Sequence, residues 1–333
     1  MSATRYDVAK LAGVSPTTVS YVINNGPRPV SESTRKKVLW AIEQLEYRPN
    51  VIARSLKTKK TNTIGIVVSD ILNFTHASIE KSIEDLLLQQ NYSLTICNSD
   101  ESPERERIWL ELLRDRRMDG IILVPTGDNL SLLFQLQKSG LQFVLLDRLL
   151  EGFKADTVLY NNFNGAYEAV TYLIQKGHKQ IGLLNLPSSL TPGKERRRGY
   201  EHALMDAGLP IRPDYIREGT FKAQEGSLPV TQILDKSPMP TALFISSNRL
   251  ALEAIEEIYR RGLKIPDDIA IIVFDDVAYY SIMSPTISAV SSDYQQFGTM
   301  ATKFLIERIN GSYKGEPRIE YAPYQLVIRQ SSG

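Results

Sequence analysis

The sequence predicts an α/β protein with a small all-helical head, residues 1–48, and a large two-lobed body of doubly wound parallel sheets, residues 62–333. Three observations carry this reading. Apolar residues in the head recur only at helical spacing. From residue 61 onward, β-branched apolar runs alternate with amphipathic stretches, the pattern of parallel strands joined by crossover helices. The charge is also divided. Residues 1–60 hold eleven Lys or Arg against four Asp or Glu, a net +7, which leaves −6 for the rest of a chain whose total is +1. A basic head on an acidic body is the footprint of a nucleic-acid-binding module joined to something else, although a merely solvated basic face would carry the same charge.

In the head, Tyr6 to Ala12 reads as a short helix with Val8, Leu11 and Ala12 on one face. Gly13 suits the left-handed exit from it. Ser15-Pro16 is a start signal, a hydroxyl cap followed by a residue that needs no donor. Val19, Val22 and Ile23 give the second helix an apolar face. A third helix after Ser31, with Val38, Ala41, Ile42 and Leu45 inward, closes a three-helix core. Two short helices joined by a glycine-containing turn form a helix-turn-helix. The outer face of the second helix holds Pro16, Thr17, Thr18, Ser20, Tyr21 and Asn24. Such a face can enter a major groove and read base edges, with hydroxyls and helix-end N–H groups on phosphates. Spacing alone equally allows an ordinary helical hairpin with a polar exterior.

Residues 49–61 read as a hinge helix and linker. Asn50 can cap about seven helical residues, too few for an isolated helix to be stable in water. Leu56 ends this segment among basic residues. Two readings stand: a wedge inserted in the minor groove, or a side chain packed on the body.

In the body, strands are expected at Thr63–Ser69, Ser93–Asn98, Gly120–Val124, Phe143–Asp147, Thr157–Tyr160, Gln180–Asn185, Ala242–Ser246, Ile269–Phe274 and Ala289–Ser292. Helices are expected at Ile79–Gln90, Glu104–Arg116, Gly165–Gln175, Glu195–Ala207, Asn248–Arg261 and Gln295–Ile309. So many strands suit two lobes, with a cleft between them: about 62–160 with 292–321, and about 161–291 with 322–333. Ligands bind past the C-terminal ends of parallel strands. Those ends are polar here: Asp70, Asn73, Phe74, Thr75 and His76; Asp147 and Arg148; Arg196 on the loop after Gly182–Asn185; Phe221; Ser247 and Asn248; Asp275 and Asp276. Taken singly, each is as well explained as a solvated loop residue. Together they offer hydrogen bonds and an aromatic face to a polyhydroxylated ligand.

The run YDVAKLAGVSPTTVSYVIN, then Val30-Ser31, Thr34-Arg35, Tyr47-Arg48-Pro49-Asn50 and Ala53-Arg54-Ser55-Leu56, resembles the head of the lactose-repressor (LacI/GalR) family. Gly177-His178, Ile181-Gly182, Gly199-Tyr200, Pro266-Asp267-Asp268-Ile269 and Phe274-Asp275-Asp276 resemble its effector domain, which is similar to periplasmic sugar-binding proteins. The resemblance implies a sequence-specific transcription regulator, a repressor, bound as a homodimer to palindromic operator DNA. It implies DNA contacts from Thr4, Ser15, Pro16, Thr17, Thr18, Ser20, Tyr21, Asn24 and Arg28, and from Ile52, Ala53 and Leu56 in the hinge. It implies effector contacts from Asn73, Phe74, Asp147, Arg196, Phe221, Ser247, Asn248, Asp275 and Tyr294. Three features depart from the family pattern. Tyr21 replaces a guanine-reading arginine, so the operator should differ at that base pair. Phe74-Thr75-His76 replaces the commoner Pro-Phe-Phe. Ser247 and Asn248 stand where asparagine and aspartate are usual. The expected effector is a sugar or sugar derivative; a sugar acid or phosphate, or a nucleobase corepressor, is the alternative. Whether the effector releases or promotes DNA binding stays open.

Other classes fit less of the chain. There is no phosphate loop, no dinucleotide fingerprint and no nucleophile elbow, so no enzyme is expected. His76, His178 and His202 lack metal-ligand spacing, and no metal or cofactor is expected. His178 is expected to end a helix and meet its last carbonyls. The single cysteine, Cys97, excludes an intramolecular disulfide. The N-terminal ten residues lack a signal-peptide core, and no run reaches the roughly 18 apolar residues of a membrane span, so the cytoplasm is expected and no membrane partner. A transport receptor would account for the body alone.

Overall fold

The computed structural model describes residues 3–24, 28–48, 60–219 and 228–333. The chain separates into two compact units, residues 1–61 and 62–333.

The head holds α1 (Arg5–Ala12), α2 (Pro16–Asn24) and α3 (Glu32–Gln44). A capping box starts α1. Thr4 accepts from the Asp7 N–H, and the Asp7 carboxylate accepts from the Thr4 N–H. Gly13, at φ 65°, ends it. Ser15 Oγ accepts the Thr18 N–H at 3.1 Å to start α2, and Ser31 Oγ accepts the Thr34 N–H at 3.3 Å to start α3. Val8, Ala9, Ala12, Val19, Val22, Val38 and Ala41 form the core. Leu11 differs from expectation. It is 43% exposed, and Ala9 takes the inward place. The small pair Ala9 and Ala12 lets the helices approach closely, which turns Leu11 to the flank.

The body has two six-stranded sheets. The N-lobe sheet contains β1 (Thr63–Val68), β2 (Ser93–Asn98), β3 (Gly120–Leu123), β4 (Gln142–Leu146) and β5 (Asp156–Leu159). The C-lobe sheet contains β6 (Ile181–Asn185), β7 (Ile216–Glu218), β8 (Ala242–Ile245), β9 (Ala270–Phe274) and β10 (Ser288–Ser292). The last strands are shared out: β11 (Ile319–Tyr321) joins β5 in parallel, and β12 (Tyr324–Val327) joins β10 antiparallel. The orders are β11-β5-β4-β3-β1-β2 and β12-β10-β9-β8-β6-β7. Each lobe therefore repeats one winding, in which the chain runs from its first strand to one side and then returns to build the other. The chain passes between lobes after β5, after β10 and after β11. β7, β11 and β12 escaped the sequence reading because they are three- or four-residue edge strands of mixed polarity; all of β11 is exposed.

The covering helices are α4 (Phe74–Gln89), α5 (Pro103–Asp115), α6 (Leu130–Lys138), α7 (Asn162–Gln175), α8 (Thr191–Asp206), α9 (Leu228–Leu234), α10 (Asn248–Arg260) and α11 (Tyr294–Asn310). α4 begins five residues before the expected Ile79, because Asn73 caps it through the Thr75 N–H at 3.1 Å. α8 also begins early, with Pro192 in its first turn, so Arg196 lies on a helix and not on the preceding loop. Gly199 lets α8 lie close against α7; a Cβ there would fall 2.4 Å from the Phe163 carbonyl oxygen. His178 does not meet helix carbonyls: its Nδ1 pairs with Thr241 Oγ1 at 3.0 Å.

Candidate functional site

The windings reverse between β1 and β3 in one sheet and between β6 and β8 in the other. A crevice opens outside the carboxyl ends of the strands at such a switch point. The cleft between the lobes is lined from these ends and encloses about 460 Å³, solvent included.

Two aspartates occupy equivalent places in it. Asp147 follows β4 and Asp275 follows β9, each the fourth strand of its lobe. Both have left-handed backbones, φ 63° and 75°. Aspartate tolerates this region better than most residues, and such conformations persist where the surroundings impose them. Here a neighbouring strand does so in each lobe: the Asp147 N–H donates to Val158 O at 2.9 Å, and the Asp275 N–H to Val290 O at 3.0 Å. Both side chains are buried, and Oδ1 of each has no hydrogen-bond partner among the described residues. Burial raises the Asp275 pKa, and the Asp147 carboxylate adds to the rise, while Arg196 opposes it.

Arg196, 2% exposed, ties the C-lobe side together. Its Nε donates to Asn162 Oδ1 at 2.8 Å, and its Nη1 to the Ser246 carbonyl and, at 3.4 Å, to Asp275 Oδ2. The guanidinium lies 3.6 Å from the Phe274 ring centroid. One side chain thus joins α7 to the ends of β8 and β9. The sequence expectation of a residue simply gripping ligand understates this internal role.

On the N-lobe side, Arg148 is buried, with Nη1 donating to Glu101 Oε2 at 2.8 Å and to the Pro125 carbonyl at 3.2 Å. Burial pushes the Glu101 carboxyl upward, but the Arg148 hydrogen bonds and charge outweigh it and hold the pKa low. His76 Nδ1 lies 3.1 Å from the Asp70 carbonyl oxygen. Below it, Glu80 is buried with Oε1 unpartnered, and burial lifts its pKa to about 7.

The structure brings Asn73, Asp147, Arg196, Ser247 and Asp275 to the cleft. Asn73 and Ser247 are also helix caps, Ser247 accepting the Arg249 N–H at 3.2 Å. Phe74, Asn248 and Tyr294 are not in its lining. Phe74 opens α4 and is 45% exposed. Asn248 donates to Asn73 at 3.4 Å, and Tyr294 donates to the Asp276 carbonyl at 3.3 Å. Asp276 itself is held by Arg329 through two bonds at 2.9 and 2.8 Å. Phe221 lies outside the described residues. Glu101, Arg148, Tyr160 and Arg249 line the cleft without having been singled out as contacts. Arg148 was named among the polar strand ends; Glu101 falls just beyond β2, the one signal that could have found it.

In the head, Thr17 is exposed, and Tyr21, one turn later, is half-exposed, so one face of α2 presents both. Pro16 and Ser20 are half-exposed and Arg28 is exposed. Thr4, Ser15 and Thr18 are engaged in helix starts; Thr4 Oγ1 donates to Asp7 at 2.6 Å and Ser15 Oγ pairs with Thr18 Oγ1 at 2.9 Å. The Asn24 side chain and Ile52, Ala53 and Leu56 lie outside the described residues. Among the described residues no helix is long and apolar enough to cross a membrane.

Residues 4–50 match the family of bacterial regulatory proteins of lacI type, and residues 170–332 match a periplasmic binding protein-like domain. The chain is 38% identical to the HTH-type transcriptional repressor PurR of Histophilus somni (strain 129Pt), over 99% of this chain and 98% of the relative. It is 38% identical to PurR of Pasteurella multocida (strain Pm70) over the same shares. Among solved structures, the lac repressor dimer bound to operator and the anti-inducer ONPF aligns with a TM-score of 0.88 at 27% identity, covering 100% of this chain and 99% of that one. A complex of the transcriptional regulator CelR with cellobiose aligns at 0.75 and 27% identity, covering 99% of each.

Proposed function

The chain belongs to the lacI family of bacterial regulatory proteins and is a DNA-binding transcriptional repressor, not an enzyme; from that premise we propose that its interlobe cleft takes a purine-type nucleobase as the effector that sets operator occupancy. The observation that carries this is the pair of buried, unpartnered carboxylate oxygens on Asp147 and Asp275, one from each lobe. A buried acceptor left without a donor costs about 1–3 kcal/mol, more when charged. A purine edge offers ring and exocyclic N–H donors that satisfy both. The PurR relatives, similar over nearly the whole chain, point to the same ligand class. A sugar, the ligand expected from the sequence, is the second reading. The cellobiose-bound neighbour favours it, and sugar hydroxyls would satisfy the same two oxygens.

On this reading the protein binds a palindromic operator as a homodimer, with residues 1–48 reading DNA, 49–61 as the hinge and 62–333 as the effector and dimerisation domain. Thr17 and Tyr21 face the bases. The effector acts through its differential affinity for two interlobe arrangements, since equal affinity for both would shift nothing. Isothermal titration of the full chain with guanine, hypoxanthine and adenine, and separately with cellobiose, tests the ligand class. Binding of a base that changes operator affinity supports the proposal. Binding of cellobiose with no response to any base overturns it.

A further inference from the structure

Among the described residues one ion pair joins the lobes, and both of its members line the cleft. Asp70, in the loop after β1, accepts from Arg249, in the first turn of α10, with Nη1 2.7 Å from Oδ2. The other carboxylate oxygen of Asp70 accepts the Leu72 N–H at 3.0 Å, which fixes its direction. The Arg249 backbone is fixed in turn by the Ser247 cap. The Arg249 and Asp70 side chains are 32% and 15% exposed respectively, so the pair is partly withdrawn from water but not sealed. Beside it, Asn248 Nδ2 donates to Asn73 Oδ1 at 3.4 Å, again from the C-lobe to the N-lobe. A third bond crosses elsewhere: the Leu149 N–H, after β4, donates to Thr191 Oγ1 in the first turn of α8 at 2.9 Å. The ion pairs of Arg148, Arg196, Arg308 and Arg329 each stay within one lobe.

We propose that Asp70–Arg249 is an interlobe latch that favours the closed arrangement of the cleft. The lobes are connected by three crossing segments, about which hinge motion can open them once the bonds between them break. In this arrangement Asp147 and Asp275 are both buried and the Asp147 charge acts on Asp275, which is unfavourable for two like charges. A charge-assisted hydrogen bond at the mouth opposes that repulsion, being stronger than a neutral one. Asp70 and Arg249 both line the cleft. The pair therefore sets how often the empty site opens, whatever the chemistry of the effector.

The Leu149 amide is a direct reporter, because its bond exists only when the lobes meet. Hydrogen exchange of the full-length, effector-free protein, read on peptides containing Leu149, measures opening. In Arg249→Ala and in Asp70→Asn, exchange at Leu149 should quicken about fivefold or more, the effect of losing a charge-assisted bond. Protection of the sheet interiors, such as Ile122 and Ile272, should be unchanged. Arg249→Lys, which keeps the charge, should remain within about twofold of the wild type. Unchanged Leu149 exchange in Arg249→Ala overturns the latch, as does acceleration in only one of the two charge-removing variants. Loss of protection in the sheet interiors as well would mark general destabilisation and equally overturn it.

Discussion

Arg196→Ala is expected to unfold the body at a markedly lower temperature, before any effect on ligand is considered. The substitution removes the donors to Asn162, to the Ser246 carbonyl and to Asp275, all of them buried. It also removes the guanidinium from the Phe274 face and leaves a void where a long side chain was fully enclosed. Breaking a buried ion pair by deleting one partner costs roughly 3–5 kcal/mol, because the other charge stays buried without compensation. Asp275 relieves part of this by taking up a proton, since burial already favours its neutral form and the opposing Arg196 charge is gone. Each kcal/mol moves the Tm of a domain of this size by roughly 2–4 °C, so the expected fall is about 6–20 °C. Calorimetry of the full chain measures it, with the body transition followed by near-ultraviolet circular dichroism. An unchanged Tm together with loss of effector binding would refute the internal role assigned to Arg196 and restore a residue whose whole business is ligand.

Glu80→Gln tests the buried carboxyl beneath the cleft, in a cavity it shares with His76 and Asp147. A carboxyl raised to about 7 from its ordinary 4.5 binds its proton more tightly in the folded state. Its stabilising contribution is complete below about 4.5 and is lost as pH rises through about 7. The variant should therefore gain Tm relative to wild type at pH 8 and flatten the decline between pH 5 and 8; parallel pH profiles for the two proteins would count against it. Tyr21→Arg, on the outer face of α2, should change the preferred operator at one symmetric pair of positions, with discrimination of roughly 1–3 kcal/mol from a bidentate guanine contact. Operator selection that returns the wild-type consensus would show that Tyr21 does not read that base.

The parts legible from sequence are those set by local chemistry. Ser15-Pro16, Ser31 and Gly13 place the helix ends of the head because caps and left-handed exits involve neighbours only three or four residues away. The nine expected strands of the body are found, most of them because buried parallel strands are continuous apolar runs. The edge strands β7, β11 and β12 are only three or four residues long and of mixed polarity, so they were not legible. The candidate site was legible in outline, since strand ends are polar by position, but not in its assignments. Phe74, expected to contact effector, is 45% exposed and is not among the cleft-lining residues, a placement no local pattern foretold. Arg196, expected to grip ligand, lines the cleft and also donates to Asn162 and Ser246, thirty-four and fifty residues away. The Asp70–Arg249 pair spans 179 residues of sequence. No periodicity or motif encodes such distances. They arise when two separately wound sheets present the ends of their strands to one another, and only that packing decides which charges meet, which are left unpaired and which face the cleft.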